Sequence, residues 1–252
     1  MPSRDGILKD DCHIARIDVK ITKTFDKNSM STLPLGRSVD GAPLQDVVLV
    51  LTEKIGSGND REVWRHPLNR ALGVKVAKPE QERAQNDIDL HYSAHLERLG
   101  VAGPHVPRVH GWVRTNRGRG LVVDLVQRAD GTPCPTLSQA VRSGTITEME
   151  AVGLIYEACE WLTRNGVILA DYGLDNFLIR QSSVAGRAYL VFVDGLGTRH
   201  FDFKYWARCT FTPLEQWTAR QKALAFRDKT LAMLRDRSSR LWVPKKQQHL
   251  AA

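Results

Sequence analysis

No apolar run in this 252-residue chain approaches the roughly 20 residues that a membrane-spanning helix needs; the longest are Val47–Leu51 and Ala188–Val193. The first residues, Met1-Pro2-Ser3-Arg4-Asp5, are not followed by the apolar core of a secretory signal, so a cytoplasmic location is expected. Cysteine is sparse: Cys12, Cys134, Cys159 and Cys209 are widely and irregularly spaced, with no CxxC pair and no clustered histidines. That spacing argues against a disulfide framework or a structural zinc site and predicts free, buried thiols. Internal repeats and low-complexity tracts are also missing. What remains, 42% hydrophobic and 25% charged residues, is the composition of an ordinary globular protein.

Charge is uneven. The formal net charge is +8, and residues 195–252 alone hold 12 Lys+Arg against 4 Asp+Glu, so the preceding 194 residues sum to zero. A nucleic-acid-binding domain would spread its basic residues over its binding face, so the expectation is against a nucleic-acid partner. The basic C-terminal helix, with Trp206, Trp217 and Trp242 among its basic residues, is left as a candidate surface for a protein or polyanion partner.

Three segments follow from the pattern. Residues 1–45 lack clear periodicity and read as an N-terminal extension, a candidate for poor order, with a weak alternation at Ile14–Ile21 that could add a strand. Residues 46–127 are β-rich. Strands are predicted at Val47–Leu51, Glu62–Arg65, Leu72–Ala77 and Leu121–Val126, with turns at Gly56-Ser57-Gly58-Asn59-Asp60 and Gly118-Arg119-Gly120. A helix over Glu82–Leu99 places Ile88, Tyr92, His95 or Leu96, and Leu99 on one stripe. Residues 128–252 are α-rich. One helix carries Met149, Val152, Ile155, Cys159 and Leu162 at helical spacing, opens with a Thr147/Glu150 capping box and ends at Asn165-Gly166. Short strands Asn176–Ile179 and Tyr189–Val193 follow, then an amphipathic helix with Trp217, Leu224, Leu231 and Leu234.

Four polar elements fall in one order. Gly56-Ser57-Gly58 between two strands lets backbone N–H groups approach phosphate oxygens. Lys75, in the apolar strand Leu72-Gly73-Val74-Lys75-Val76, is suited to a phosphate as a point charge, with Lys78 as the alternative. Asp171-Tyr172-Gly173-Leu174-Asp175-Asn176 follows the apolar stretch Val167–Leu169; its Asp can orient a hydroxyl and its Asn can ligate Mg²⁺. Asp194-Gly195-Leu196-Gly197 ends a strand with a carboxylate suited to the same ion. Each element alone is an ordinary turn or edge lysine. Their order, with an acidic helix and a hinge strand between, is that of the protein kinases.

The expected fold is therefore α+β: a protein-kinase-like two-lobed fold with a β-rich N-lobe and hinge over 46–127 and a reduced α-rich C-lobe over 128–252. ATP would lie between the lobes, its adenine on the backbone of Asp124 and Val126. Gly56, Ser57 and Gly58 would cover the phosphates and Lys75 contact them. Asp89 would pair with Lys75 (Glu82 and Asp87 as fallbacks), Asn176 and Asp194 would hold Mg²⁺, and Asp171 would face an acceptor hydroxyl of unknown identity. Isolated histidines such as His95 and His110 read as structural.

A narrower resemblance rests on Gly56-Ser57-Gly58, Arg61, Trp64 and His66-Pro67, followed by Asp89-Leu90-His91-Tyr92-Ser93-Ala94-His95-Leu96. It continues through Val106-Pro107-Arg108-Val109-His110-Gly111, the run Thr115–Asp124, and Asp130-Gly131-Thr132-Pro133 with Leu137. Over roughly residues 50–245 the chain resembles the YrbL family, the PhoP regulatory network proteins. The resemblance implies a compact bacterial kinase-like protein regulated by a two-component system and names no substrate. Departures from the active-kinase pattern are Arg61 at the third loop glycine, Asp89 for glutamate, Leu169 for the histidine two before the catalytic Asp, and Gly173 for the lysine two after it. No Ala-Pro-Glu follows Asp194. Two functional classes stand beside the phosphotransferase: a nucleotide-binding pseudokinase regulator, and a polyanion- or protein-interaction module.

Overall fold

The computed structural model describes residues 48–79, 84–101, 103–182 and 187–243. The 1–45 extension, the Ile14–Ile21 alternation, Cys12, Val47, Glu82 and most of the 181–187 turn lie outside the described residues.

Alternation builds the first half. Strands β1 (Val48–Leu49), β2 (Lys54–Ser57), β3 (Arg61–Arg65), β4 (Leu72–Ala77), β5 (Val109–Thr115) and β6 (Gly118–Asp124) form one sheet in the order β1-β5-β6-β4-β3-β2, with helix α1 (Gln85–Arg98) between β4 and β5 in sequence. Neighbours run antiparallel except β1 with β5. Side chains alternate faces along a strand. Val74 and Val76 therefore join Trp64, Val122, Leu49 and Leu51 in one core, while Lys75 between them meets α1.

The second half is mainly helical: α2 (Leu137–Arg142), α3 (Glu148–Arg164), the hairpin β7 (Phe177–Gln181) with β8 (Ala188–Phe192), α4 (Phe203–Thr210) and α5 (Thr212–Arg235). The expected capping box forms: Glu150 N–H donates to Thr147 Oγ1 at 3.2 Å, and Thr147 N–H donates to Glu150 Oε2 at 2.7 Å. Phe177, Phe192 and Phe226 pack edge to face at the centre, joining the hairpin to α5. No helix among the described residues is long and apolar enough to cross a membrane. Cys134, Cys159 and Cys209 are free, the first two buried.

The architecture is mixed α+β, and several local expectations are corrected. Among the described residues the first strand is Val48–Leu49, and Val50 and Leu51 continue its exposed–buried alternation without ladder pairing. The hairpin turn lies at Asn116-Arg117 rather than Gly118–Gly120, since Gly118 already pairs with Thr115. Asn176 belongs to a 3-10 turn (Leu174–Asn176), and its strand starts at Phe177. Leu99, Met149 and Trp217 fall on the expected stripes but are exposed. Leu99 caps α1 and Met149 is the second residue of α3, while Trp217 lies off the buried face that Glu215, Thr218 and Ala219 form in α5. α5 buries the expected Leu231 and Leu234, and with them Phe226 and the small or polar Thr218, Ala219, Ala223 and Thr230. Strand β5 and helices α2 and α4 were not expected.

Candidate functional site

Four segments converge on one polar cluster. Lys75 is 9% exposed, and its Nζ donates to Asp89 Oδ2 at 2.8 Å and to the Val193 carbonyl at 2.8 Å. The strand lysine thus bridges α1 and the segment entering Asp194. Arg61, 6% exposed, enters from β3. Its Nη1 donates to Asn86 Oδ1 at 2.9 Å and Asp89 Oδ2 at 2.7 Å, and its Nη2 donates to Asp194 Oδ1 at 2.5 Å. Asn86 in turn donates to the Lys75 carbonyl at 3.0 Å. Two cations therefore face two carboxylates, with the Asn86 amide between strand and helix.

Electrostatics follow from this packing. Burial pushes the Asp194 carboxyl up, but Lys75 and Arg61 outweigh it and hold the group at about 2, below the ordinary 3.8. Burial likewise works against the Arg61 charge, and Asp89 and Asp194 overcome it, so the guanidinium stays protonated.

Asp171 and Asn176 lie against the same loop. Ala170 and Asp171 N–H groups both donate to the Gly195 carbonyl, at 2.7 and 3.1 Å. Gly195 has φ +78°, and a Cβ there would sit 2.7 Å from Asp171 Cβ and 3.3 Å from Asn176 Nδ2. Only glycine lets these segments touch. Asp171 Oδ1 accepts from Gly173 N–H at 3.2 Å and from Arg199 Nη2 at 3.0 Å. Asp194 Oδ1 also accepts from Gly195 N–H at 2.7 Å. The second carboxylate oxygen of each Asp takes no part in these bonds.

Gly197 is the tighter constraint. Its φ is +76°, and a Cβ would fall 2.6 Å from Tyr92 Cγ. Tyr92 cannot retreat: its ring is 2% exposed and its hydroxyl accepts from Ile168 N–H at 2.8 Å. Gly197→Ala is expected to cost about 2–4 kcal/mol, combining left-handed strain with overpacking. Urea denaturation checks this, and a loss under about 0.5 kcal/mol would show that the loop relaxes freely.

The remaining expected residues are placed as follows. Gly56 and Ser57 end β2, and Gly58 opens the turn, its N–H donating to the Arg61 carbonyl at 2.8 Å. Lys78, the alternative to Lys75, donates to the Gly58 carbonyl at 2.6 Å and so braces the turn. Asp87, a fallback partner for Lys75, is exposed on α1. Asp124 ends β6; its N–H donates to the Arg108 carbonyl at 2.9 Å, and its Oδ1 meets His110 Nε2 at 2.7 Å. The Val126 carbonyl accepts from Cys134 N–H at 3.2 Å. His95 is a structural group, its Nε2 lying 2.6 Å from Glu215 Oε1 with both side chains buried, which ties α1 to α5. Sequence reasoning did not place Arg61, Asn86 or Arg199 in the site. For Asn86 a signal existed: it lies three residues before Asp89, on the same helix face.

Comparison with known proteins shows the family of the chain. The family model "PhoP regulatory network protein YrbL" matches residues 47–224. "Uncharacterized protein YrbL" of Escherichia coli (strain K12) is 32% identical over 168 residues, covering 65% of this chain and 75% of that relative. The protein of the same description from Shigella flexneri matches to the same extent. The matched range spans the whole of this cluster, and the chain belongs to the family of the PhoP regulatory network protein YrbL.

Proposed function

We propose that the chain is a kinase-like protein that binds Mg-ATP in the cleft at Lys75 and Asp194 and transfers the γ-phosphoryl group to a hydroxyl acceptor. The observation that carries this reading is the Lys75–Asp89 ion pair at 2.8 Å, made across strand and helix and bonded onward to the segment before Asp194. Phosphoryl transfer asks the protein for positioning and charge stabilisation, and a strand lysine held by a helix carboxylate supplies both. The sheet order β2-β3-β4-β6-β5, with α1 after the lysine strand, supports a kinase-like β-rich lobe followed by a reduced helical lobe.

The residues suit the ligands. Magnesium keeps several waters and takes few protein ligands besides phosphate oxygens, so no cluster of three carboxylates is required. Asp194 Oδ2 and the Asn176 amide oxygen would hold the ion, which when bound neutralises charge on the phosphates. Gly56, Ser57 and Gly58 would cover the phosphates, and Lys75 would contact them. The Asp124 carbonyl and Val126 N–H, the groups left over from the two backbone bonds above, would meet the purine edge. Asp171 would orient the acceptor hydroxyl and take its proton.

A second reading, a nucleotide-binding regulator without turnover, is favoured by a different observation: Arg61 sits on Asp194 and Arg199 on Asp171, so an arginine covers one oxygen of each key carboxylate. The family description, a PhoP regulatory network protein, is compatible with a protein partner in such a role.

Calorimetric titration of ATP with Mg²⁺ and with EDTA tests the cleft. Magnesium-dependent binding is expected, weakened about tenfold or more in Asp194→Ala, the scale of one charge-assisted contact. Absence of ATP binding in every condition would remove both readings of the cleft.

A further inference from the structure

We infer that a cationic cavity beside Asp171 seats a phosphate group on the acceptor, so that the acceptor is a hydroxyl compound already carrying a phosphate. The inference rests on the reading of Asp171 as the residue that faces the acceptor hydroxyl.

The cavity, about 390 Å³, is walled by the residues flanking Asp171, the loop after Gly197, and helices α4 and α5. That size is in the range of small-molecule sites. Arg199, Arg208, Lys222 and Lys229 line it, against a single lining carboxylate, Asp202. Asp202 is already engaged, its Oδ1 capping α4 by accepting from Tyr205 N–H at 2.7 Å. Arg199 is paired with Asp171, but the other three cations crowd one concavity, which is unfavourable unless an anion enters it. A phosphomonoester dianion offsets more of that repulsion than one carboxylate does.

Two details point to a ligand rather than to a solvated basic face. Lys222 and Lys229 lie seven residues apart on α5, two turns on one face. Their Nζ atoms sit 6.0 and 4.9 Å from the Tyr172 ring, which fixes both ammonium groups next to the residue after Asp171. Finally, the Arg199–Asp171 pair is largely exposed, with side chains 62% and 44% accessible. Such a pair is weak, so the guanidinium is free to exchange Asp171 for an incoming phosphate. That exchange would free Asp171 Oδ1 as the acceptor binds. The cations converge on one pocket, which suits a compact phosphate rather than an extended polyanion.

Binding is tested on the full chain in two arms. One follows glycerol 3-phosphate, with glycerol as control, by NMR titration. The other measures co-sedimentation with phosphatidylcholine vesicles with and without phosphatidic acid. The comparison variant is Lys222→Gln/Lys229→Gln, whose partly exposed positions keep folding out of question; a thermal melt checks that it folds. Binding of the soluble phosphomonoester, weakened about tenfold or more in the double variant, supports the site with a free acceptor. Binding only to phosphatidic acid vesicles, equally weakened, supports it with a lipid-borne one. No binding in either arm, or binding that the double variant keeps, overturns the inference while leaving ATP binding to report on the cleft separately. Phosphomonoester binding in a chain that does not bind ATP overturns the cleft reading, and the acceptor role with it.

Discussion

Arg61→Ala is expected to destabilise the fold by about 3 kcal/mol, in a chain where a single arginine joins β3, α1 and the Asp194 loop. Breaking a buried ion pair from one side costs about 3–5 kcal/mol, because a charge is left in a poor solvent. The lower end applies here. Asp89 keeps Lys75 at 2.8 Å, and the Asp194 side chain is 36% exposed and so partly solvated. Arg61→Lys should recover little, since a point charge cannot serve Asn86, Asp89 and Asp194 together as the planar fork does. The effect also has a pH signature. Asp194 titrates at about 2 in the folded chain against 3.8 ordinarily, so its contribution is full above about pH 4 and is lost as pH falls toward 2. The deficit of the variant should therefore be largest above pH 4 and narrow below it. Urea titrations at pH 7 and pH 3 measure both. A variant within about 0.5 kcal/mol of the parent at pH 7 would show that the guanidinium is ornamental. Combining Arg61→Ala with Asp194→Asn should cost less than the sum of the two, because the pair acts as a unit.

What could be read from the chain in advance, and what could not, divides by distance. Lys75 was legible because alternation in Leu72–Ala77 is local: Val74 and Val76 face the core, so Lys75 must face the other way. The Thr147/Glu150 box needs only residues three apart, and it forms. The Asp171–Asn176 and Asp194–Gly197 loops carry their own turn chemistry. Arg61, by contrast, stands in the sequence as a glycine replaced and as one residue of a family resemblance, with no role in the site. Its meaning depends on Asp89, 28 residues on, and Asp194, 133 residues on, which no local pattern connects. The basic pocket was hidden likewise: its cations come from a loop and two helices, and in the sequence they read only as a C-terminal excess of charge.

The helical half misled for a different reason. Periodicity weighs large apolar residues; it places Leu231 and Leu234 of α5 inside, but the first half of that helix packs on small ones. Ala219 and Ala223 are fully buried, whereas Trp217 is 62% exposed. Strand β5 escaped notice because none of its alternate positions is fully buried before Thr115, and its register shifts between Val109 and Gly111. At six residues α2 is too short to show a helical period at all.

On the proposed phosphotransferase reading, Asp171→Asn is expected to lower phosphoryl transfer by about 10²–10⁴-fold, the usual contribution of a positioned general base, while leaving nucleotide binding near the parent value. The amide is nearly isosteric, and its oxygen can still accept from Gly173 N–H and Arg199 as the carboxylate does. The close packing at Gly195 involves the Asp171 Cβ and backbone, which do not change. What the substitution removes is the capacity to take a proton from an acceptor hydroxyl. Asp171 also stands apart from the Lys75–Asp89–Arg61–Asp194 cluster in the bonds it makes, so the nucleotide end of the cleft should not register its loss. Measuring ADP release and ATP affinity on the same preparations separates the two readings. Turnover in the parent that the variant loses identifies a transferase with Asp171 as its base; turnover that survives intact removes Asp171 from the chemistry. Tight magnesium-dependent ATP binding without turnover in either protein, with the phosphorylated acceptor supplied, identifies a regulator. In that case the arginines on Asp171 and Asp194 are the resting arrangement itself: they keep the polar residues of a phosphotransferase paired with one another, and the nucleotide serves to change the shape of the cleft.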